Sequence, residues 1–241
     1  MKLTVIGCWH GYPEPEEATS GYLIQQDDFS LLLDCGSGVL SHLQRYCPLQ
    51  KLQAVVVSHY HQDHIADIGV LHYARLIETK LGRASTPLFI YGHKDDERFD
   101  TLAYEPYVKS IPYQSNSLLD VGPFAISFLK TKHPAPCYAM KITNGQKEIV
   151  YTADTSYFLG LASFAKECDL LIAECSFYKN QETVGGHMNS QDVGILANKA
   201  RAKQVLLTHL PHFGERTSLL TEVKESYDGQ VELASKGWSF T

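Results

Sequence analysis

Residues 58–64 read SHYHQDH, so His59, His61, Asp63 and His64 fall within six positions. Imidazole nitrogens and carboxylate oxygens are donors that suit zinc, and also manganese or iron. In an extended segment side chains repeat every two residues, so His59 and His61 point to one side and can bind one ion together. Asp63 and His64 follow at a turn into a helix and can face a neighbouring ion. A lone histidine is most often a core or surface residue, but four donor residues in six positions are not explained that way.

Three further donors stand where strand-like runs end. His133 follows FAISFLK, Asp154 ends EIVYTAD, and His209 ends VLLTH. The carboxyl ends of strands in α/β sheets are where separate strands converge on a ligand. Glu174 ends DLLIAE, and His187 lies in GGHMNS just before a helix. A helix N-terminus carries N–H groups and partial positive charge, which suits a phosphate oxygen. A carboxylate paired with an imidazole orients the ring and raises its pKa, so that it can protonate a leaving alkoxide.

The scaffold for these residues is a series of short apolar runs. KLTVIG, GYLIQQ and FSLLLD read as strands, the last two forming a hairpin across Asp27–Asp28. A helix is expected from Ser37 to about Tyr46, closed by Pro48. AVVV at 54–57 is a buried strand that leads directly into the histidine cluster. Ala66, Val70, Tyr73, Ala74, Ile77 and Leu81 then share one helical face, with Gly82 as the stop. PLFIY, FAISFLK, CYAMKI and EIVYTAD are further strands, and Asn144-Gly145 supplies the turn between the last two. DLLIAE and QVLLTH are buried strands on either side of a helix over 190–201 that buries Val193, Leu196, Ala197 and Ala200. Asn189 is its N-cap, with Asp192 completing a capping box. VELAS near the C-terminus is one more strand. Segment 93–117 mixes charges, Tyr and Pro and gives no clear period. The element order predicts two similar halves, each a sheet with covering helices.

The 241 residues suffice for one large α/β domain. No low-complexity linker divides them. The formal net charge is −6, whereas a protein holding long nucleic acid on its own surface shows a basic face. Six cysteines occur without a CxxC pair, which suits buried thiols in a reducing cytosol. The N-terminal run is too short for a signal-peptide core, and no stretch approaches the ~20 apolar residues of a membrane span. A soluble cytoplasmic protein is expected.

At this point the chain resembles the metallo-β-lactamase superfamily. The core motif H-x-H-x-D-H is matched by His59, His61, Asp63 and His64, and the later ligands by His133, Asp154 and His209 in order. The DCG of LLLDCGSG is similar to the early motif, which makes Asp34 a residue that orients the ligand loop. The resemblance runs from Met1 to about Leu233. It implies an αββα sandwich, taken as a single domain over 1–241, and two divalent ions, zinc first, with manganese or iron as the other candidates. His59, His61 and His133 would hold one ion, Asp63, His64 and His209 the other, and Asp154 would bridge them. LLIAECSF…HMNSQD looks like the paired Glu and His motifs of the RNase Z-like branch, which includes RNase Z and small cyclic-phosphodiester hydrolases. Carried over, Glu174 and His187 form a proton-shuttle pair, and the catalytic set is His187, Glu174 and Asp63.

Two ions ~3.5–4 Å apart lower the pKa of a shared water, so the resemblance implies a metal-dependent hydrolase acting through a metal-bridging hydroxide. The expected substrate is a small anionic phosphodiester, cyclic or dinucleotide-like. Two departures argue against tRNA. Only 20 residues separate His133 from Asp154, where bacterial RNase Z carries a long arm. THLPHFGER stands after the last ligand in place of a Phe-Ser-x-Arg-Tyr-like run. The alternatives are a lactone or thioester hydrolase, which shares the ligands but needs no Glu174–His187 pair, and a non-catalytic metal-binding protein. Related phosphodiesterases are often homodimers, and the sequence leaves that open. Lys130 and Lys132 are candidates for steering an anion. The WHGYP loop at 9–13, with His10, is a candidate cleft wall. His42, His72, His93 and His212 read as structural or surface residues.

Overall fold

The computed structural model describes residues 1–115 and 117–241. These divide into two units, Met1–Gln114 with Ser235–Thr241, and Ser115–Ala234. Each unit is built on one sheet with its own helices, as the two-halves pattern predicts.

In the first unit β1 (Lys2–Gly7), β2 (Gly21–Gln26) and β3 (Phe29–Leu33) pair antiparallel. The β2–β3 hairpin turns at Asp27, whose φ of 51° is left-handed. From β3 onward the sheet is parallel, through β4 (Ala54–Val56), β5 (Leu88–His93) and β6 (Val108–Tyr113). Helix α1 (Val39–Leu43) is shorter than expected: Gly38 precedes it with φ 81°, so the helix cannot begin at Ser37. Helix α2 (Gln62–Ile65) is one turn, and α3 (Ile68–Lys80) follows it. The core joins Ile6, Leu23, Leu32, Val55, Ile90 and Val108, one from each of β1 to β6, to Leu71 of α3.

Helix α3 exists where the period predicts it, but its inner face is a different one. It buries Ile68, Leu71, His72 and Arg75, while Val70, Tyr73, Ile77 and Leu81 are exposed. Interior hydrogen bonds explain the rotation. Arg75 donates to the carbonyls of Leu52 (3.2 Å) and Thr86 (2.6 Å), and the His72 ring meets the Leu102 carbonyl at 3.0 Å. Two polar side chains with partners waiting inside outweigh an apolar stripe that has none. The unreadable segment holds a 3-10 turn at Glu97–Leu102 and then β6; residue 116 lies outside the described residues.

In the second unit β7 (Leu118–Val121), β8 (Phe124–Lys130), β9 (Tyr138–Thr143) and β10 (Glu148–Tyr151) pair antiparallel. The sheet continues in parallel through β11 (Leu170–Glu174), β12 (Gln204–Thr208) and β13 (Gln230–Leu233). Helices α4 (Leu159–Phe164), α5 (Ser190–Ala200) and α6 (Thr217–Lys224) belong to this unit. Asn189 caps α5 with both bonds of the capping box formed, and Val193, Leu196, Ala197 and Ala200 are buried as predicted. The last strand, β14 (Ser239–Phe240), returns to the first unit and pairs antiparallel with β1.

The donors leave these sheets at strand ends. Asp34 follows β3 and His59 follows β4 by three residues, and β3 and β4 run parallel, so both emerge at one edge. By the same pairings β8, β10, β11 and β12 point one way, which brings His133, Asp154, Glu174 and His209 to one edge of the second sheet. Among the described residues no helix is long and apolar enough to cross a membrane.

Candidate metal centre

In the first unit His61 has extended backbone (φ −67°, ψ 149°) at the N-cap of α2, so His59 and His61 do fall on one side. His59 Nε2 and His61 Nδ1 lie 3.0 Å apart, within reach of one ion. The other His59 nitrogen is held from behind. Ser58 gives its hydroxyl proton to Asp34 Oδ2 (2.8 Å), so its oxygen accepts from His59 Nδ1–H (3.1 Å), and the lone pair is left on Nε2. His64 Nδ1–H donates directly to the same Asp34 oxygen (2.7 Å), and His64 Nε2 lies 3.6 Å from Asp63 Oδ2. Asp34, Ser58, His59 and His64 are fully buried. Asp34 therefore orients two imidazoles, one directly and one through Ser58.

The loop is fixed by its neighbours. Gly36 lets it approach, since a Cβ there would stand 2.0 Å from the Asp63 carbonyl oxygen. Gly11 of the WHGYP loop donates its N–H to Asp63 Oδ2 (3.0 Å). Arg98 Nη1 donates to the carbonyl of Tyr60 (2.6 Å), the residue between His59 and His61. Arg98 is itself gripped by Asp96 at 2.6 Å, and these hydrogen bonds hold the Asp96 carboxyl down at about 2. Tyr113 donates to the Val57 carbonyl at 2.6 Å.

The second unit repeats the device. Glu174, 1% exposed, accepts from His187 Nδ1–H (3.0 Å) and from the Thr155 N–H (3.1 Å) on Oε1. Ser176 gives its proton to Glu174 Oε2 (3.0 Å), so its oxygen accepts from His209 Nδ1–H (3.0 Å). His209 Nε2 lies 3.6 Å from Asp154 Oδ1. His133 Nδ1–H meets the Gly186 carbonyl at 3.3 Å. The His187 ring sits 5.2 Å from that of His133 and 5.3 Å from that of His209. Five imidazoles across the two units thus have Nδ1 held by an oxygen acceptor, which fixes the tautomer that presents Nε2. Metal-ligating histidines are held in this way, and the donor set fits divalent ions.

Sequence reading found the ligand-type residues, the Asp34 orienter and the Glu174–His187 pair. It assigned no role to Ser58, Ser176, Thr155, Gly186 or Arg98, whose types are common and whose partners are distant in the chain. One expectation fails. The N-terminus of α5 was to offer N–H groups to a phosphate oxygen, but Ser190 N donates to the Phe177 carbonyl (2.9 Å) and Asp192 N to Asn189 Oδ1 (2.9 Å). The Asp192 carboxylate of the capping box also stands there, with burial pushing its pKa up.

The remaining candidates are quieter. Lys130 and Lys132 lie over the rings of Tyr138 (5.9 Å) and Phe158 (5.7 Å). His42, His72 and His93 are buried, and His10 and His212 are half-buried. All six cysteines are buried and reduced. Burial, then the nearby Asp67 and Asp34 carboxylates, push the Cys35 thiol up; burial and then Glu174 do so for Cys175. Both stay protonated and are poor ligands.

Comparison with known proteins agrees with this chemistry. The profile of the β-lactamase superfamily domain matches residues 30–210. The probable metallo-hydrolase YhfI of Bacillus subtilis (strain 168) is 53% identical over 240 residues, covering 99% of this chain and 98% of that protein. The crystal structure of that metallo-beta-lactamase fold protein superposes with a TM-score of 0.98 at 51% identity, over 99% of this chain and 98% of the other. Ribonuclease Z of Myxococcus xanthus (strain DK1622) is 24% identical over 304 residues, covering 99% of this chain and 97% of that one. A structure described as a new diphosphatase from the PhnP family shares the fold, with a TM-score of 0.80 at 18% identity, over 100% and 97% of the two chains.

Proposed function

This chain belongs to the β-lactamase superfamily and is a metallo-hydrolase of that fold, and from that premise we propose that it hydrolyses a small phosphodiester, cyclic or dinucleotide-like. In this proposal His59, His61, Asp63, His64, His133, Asp154 and His209 hold two divalent ions, with zinc the first choice for a set rich in imidazole. Such ions, when bound, supply Lewis acidity and acidify water. The cytoplasm is proposed as the compartment, because six buried thiols suit reducing conditions.

The observation that carries the proposal is the Glu174–His187 pair. Glu174 Oε1 holds His187 Nδ1–H at 3.0 Å, which leaves Nε2 to carry a proton and stabilises the ring when both nitrogens are protonated. Expulsion of a ribose alkoxide needs a proton donor of that kind. Glu174 is a positioning residue here: its two oxygens accept from Thr155, His187 and Ser176. The ribonuclease Z and PhnP-family relatives add weight for a phosphate ester.

The test is hydrolysis of a 2′,3′-cyclic nucleotide and of a linear dinucleotide by metal-loaded protein, beside His187→Ala. A general acid contributes roughly 10²–10⁴-fold, so the variant should lose about that factor with its metal content unchanged. If the wild type with both ions bound cleaves neither diester, the proposal fails and lactones and thioesters become the substrates to try.

A further inference from the structure

The run THLPHFGER, which ends β12 and follows it, places an aromatic ring in solvent. Phe213 is 46% exposed, four residues after His209. Four residues of chain reach about 14 Å at most, so Phe213 stays near that donor. An exposed phenylalanine by itself is ordinary. What sets this one apart is how it is held.

The Tyr178 hydroxyl donates to the Phe213 carbonyl at 2.9 Å, and the two rings are 5.8 Å apart at 51°. A tilt of that size supports the Phe213 ring along one side without covering its face. Gly214 follows with φ 73°, and a Cβ there would stand 2.6 Å from the Tyr178 ring, so glycine lets that ring lie against the backbone. Tyr178 is fixed in turn. Its N–H donates to Gln181 Oε1 (3.0 Å), and its carbonyl accepts from the Gln181 N–H (2.9 Å). The next N–H, that of Lys179, donates to Glu222 Oε2 on α6 (3.1 Å). Tyr178 stands two residues past Ser176, which holds the His209 ring, and next to Phe177, whose ring is 6.4 Å from that of His187. These aromatic residues therefore leave the second sheet at the edge that carries His187 and His209.

We propose, on the phosphodiesterase reading above, that the Phe213 ring is a stacking platform for the base of a nucleotide substrate. A general acid stands beside the leaving oxygen, so residues that flank His187 meet the group which that oxygen carries. Every base has a π face, so one pinned ring with an open face can hold a base without reading its edges. One platform takes one base, which suits a small substrate.

Titration calorimetry on the full metal-loaded chain tests this with adenosine 3′- and 5′-monophosphate beside inorganic phosphate. All three bring a phosphate, so the affinity ratio of the tighter nucleotide to phosphate isolates the nucleoside and needs no turnover. The wild type should favour the nucleotide, and Phe213→Ala should cut the ratio roughly 5–150-fold, the worth of one stacked base. Phe213→Trp should keep or raise it, because the larger ring stacks at least as well. A nucleotide that binds no tighter than phosphate overturns the platform. So does a ratio unchanged in Phe213→Ala, or lost equally in Phe213→Trp, even where diesters are cleaved. A ratio that falls in Phe213→Ala and holds in Phe213→Trp, with no diester cleaved, upholds Phe213 as a nucleotide site and sinks the phosphodiesterase reading instead.

Discussion

Asp34 and Glu174 are buried carboxylates in different units that do the same thing with the same parts. Each holds one imidazole directly, His64 or His187, and a second through a serine, Ser58 for His59 and Ser176 for His209. The serine matters because its single proton goes to the carboxylate, so it can only accept from the ring. Removing the hydroxyl leaves a buried ring N–H to be satisfied otherwise, at a cost of about 1–3 kcal/mol. Ser176→Ala is therefore expected to weaken metal binding roughly 10–100-fold, the usual range for losing such a partner. Ser176→Thr should keep most of the affinity, and Ser58→Ala should act like Ser176→Ala. Competition against a chromophoric chelator reads the affinity, and the cobalt-substituted absorption spectrum reads the ligand geometry. Wild-type affinity in Ser176→Ala would mean that packing, not the hydroxyl, sets the His209 ring.

At the scale of elements, what matters is how chain segments leave strand ends. Asp34 and His209 have left-handed backbone, with φ of 56° and 54°, and Ala153 before Asp154 has φ 50°. Such conformations cost on the order of 1–3 kcal/mol each for a residue with a side chain and persist where surroundings over-determine them. Here they turn the chain sharply at the sheet edge and aim the donor. The segment after β3 then docks on the histidine loop, with Cys35 N donating to the His64 carbonyl (2.8 Å), and Ser20, just before β2, donates its N–H to the Asp63 carbonyl (3.1 Å). Gly36 sits inside this contact, and a Cβ on it would stand 2.0 Å from the Asp63 carbonyl oxygen, which is backbone and cannot swing away, and 2.1 Å from Thr19 Oγ1. Gly36→Ala should destabilise by about 3 kcal/mol or more, the upper range for overpacking, and should also lower metal occupancy because the Asp63 backbone must move. Thermal melts with and without zinc check both effects. A melting temperature within a degree or so of wild type would show that the loop yields easily.

For the molecule as a whole, the donors are a folding problem as well as a candidate metal site. His59, His64, Asp154 and His209 are at most 2% exposed, so they gather ionisable groups where water cannot solvate them. A ligand that binds only the native state stabilises it by about 2.7 kcal/mol at a hundredfold excess over its Kd. For a chain of this length one kcal/mol corresponds to roughly 2–4 °C in Tm. Stripping the protein with chelator should therefore lower Tm by about 5–10 °C, and zinc, but not magnesium, should restore it. Calorimetry measures the shift, and a Tm indifferent to chelation would argue that these residues are structural.

The sequence by itself determined the family, the set of candidate donors and most of the scaffold. SHYHQDH carries its meaning in spacing, the strand-end positions of His133, Asp154, Glu174 and His209 follow from apolar runs, and the α5 capping box is a local pattern. These are readable because period and capping act within a few residues. The tertiary structure alone decided the rest. Ser176 meets His209 across 33 positions, and nothing about a serine marks it as an acceptor for a distant imidazole. The shared face of Val70, Tyr73, Ile77 and Leu81 left the inward side of α3 open, because a period says that one side differs from the other, not which side is inward. That depended on the carbonyls of Leu52, Thr86 and Leu102 meeting Arg75 and His72. Likewise β14 found its partner β1 at the opposite end of the chain, because an open sheet edge offers hydrogen bonds to whichever segment the fold delivers.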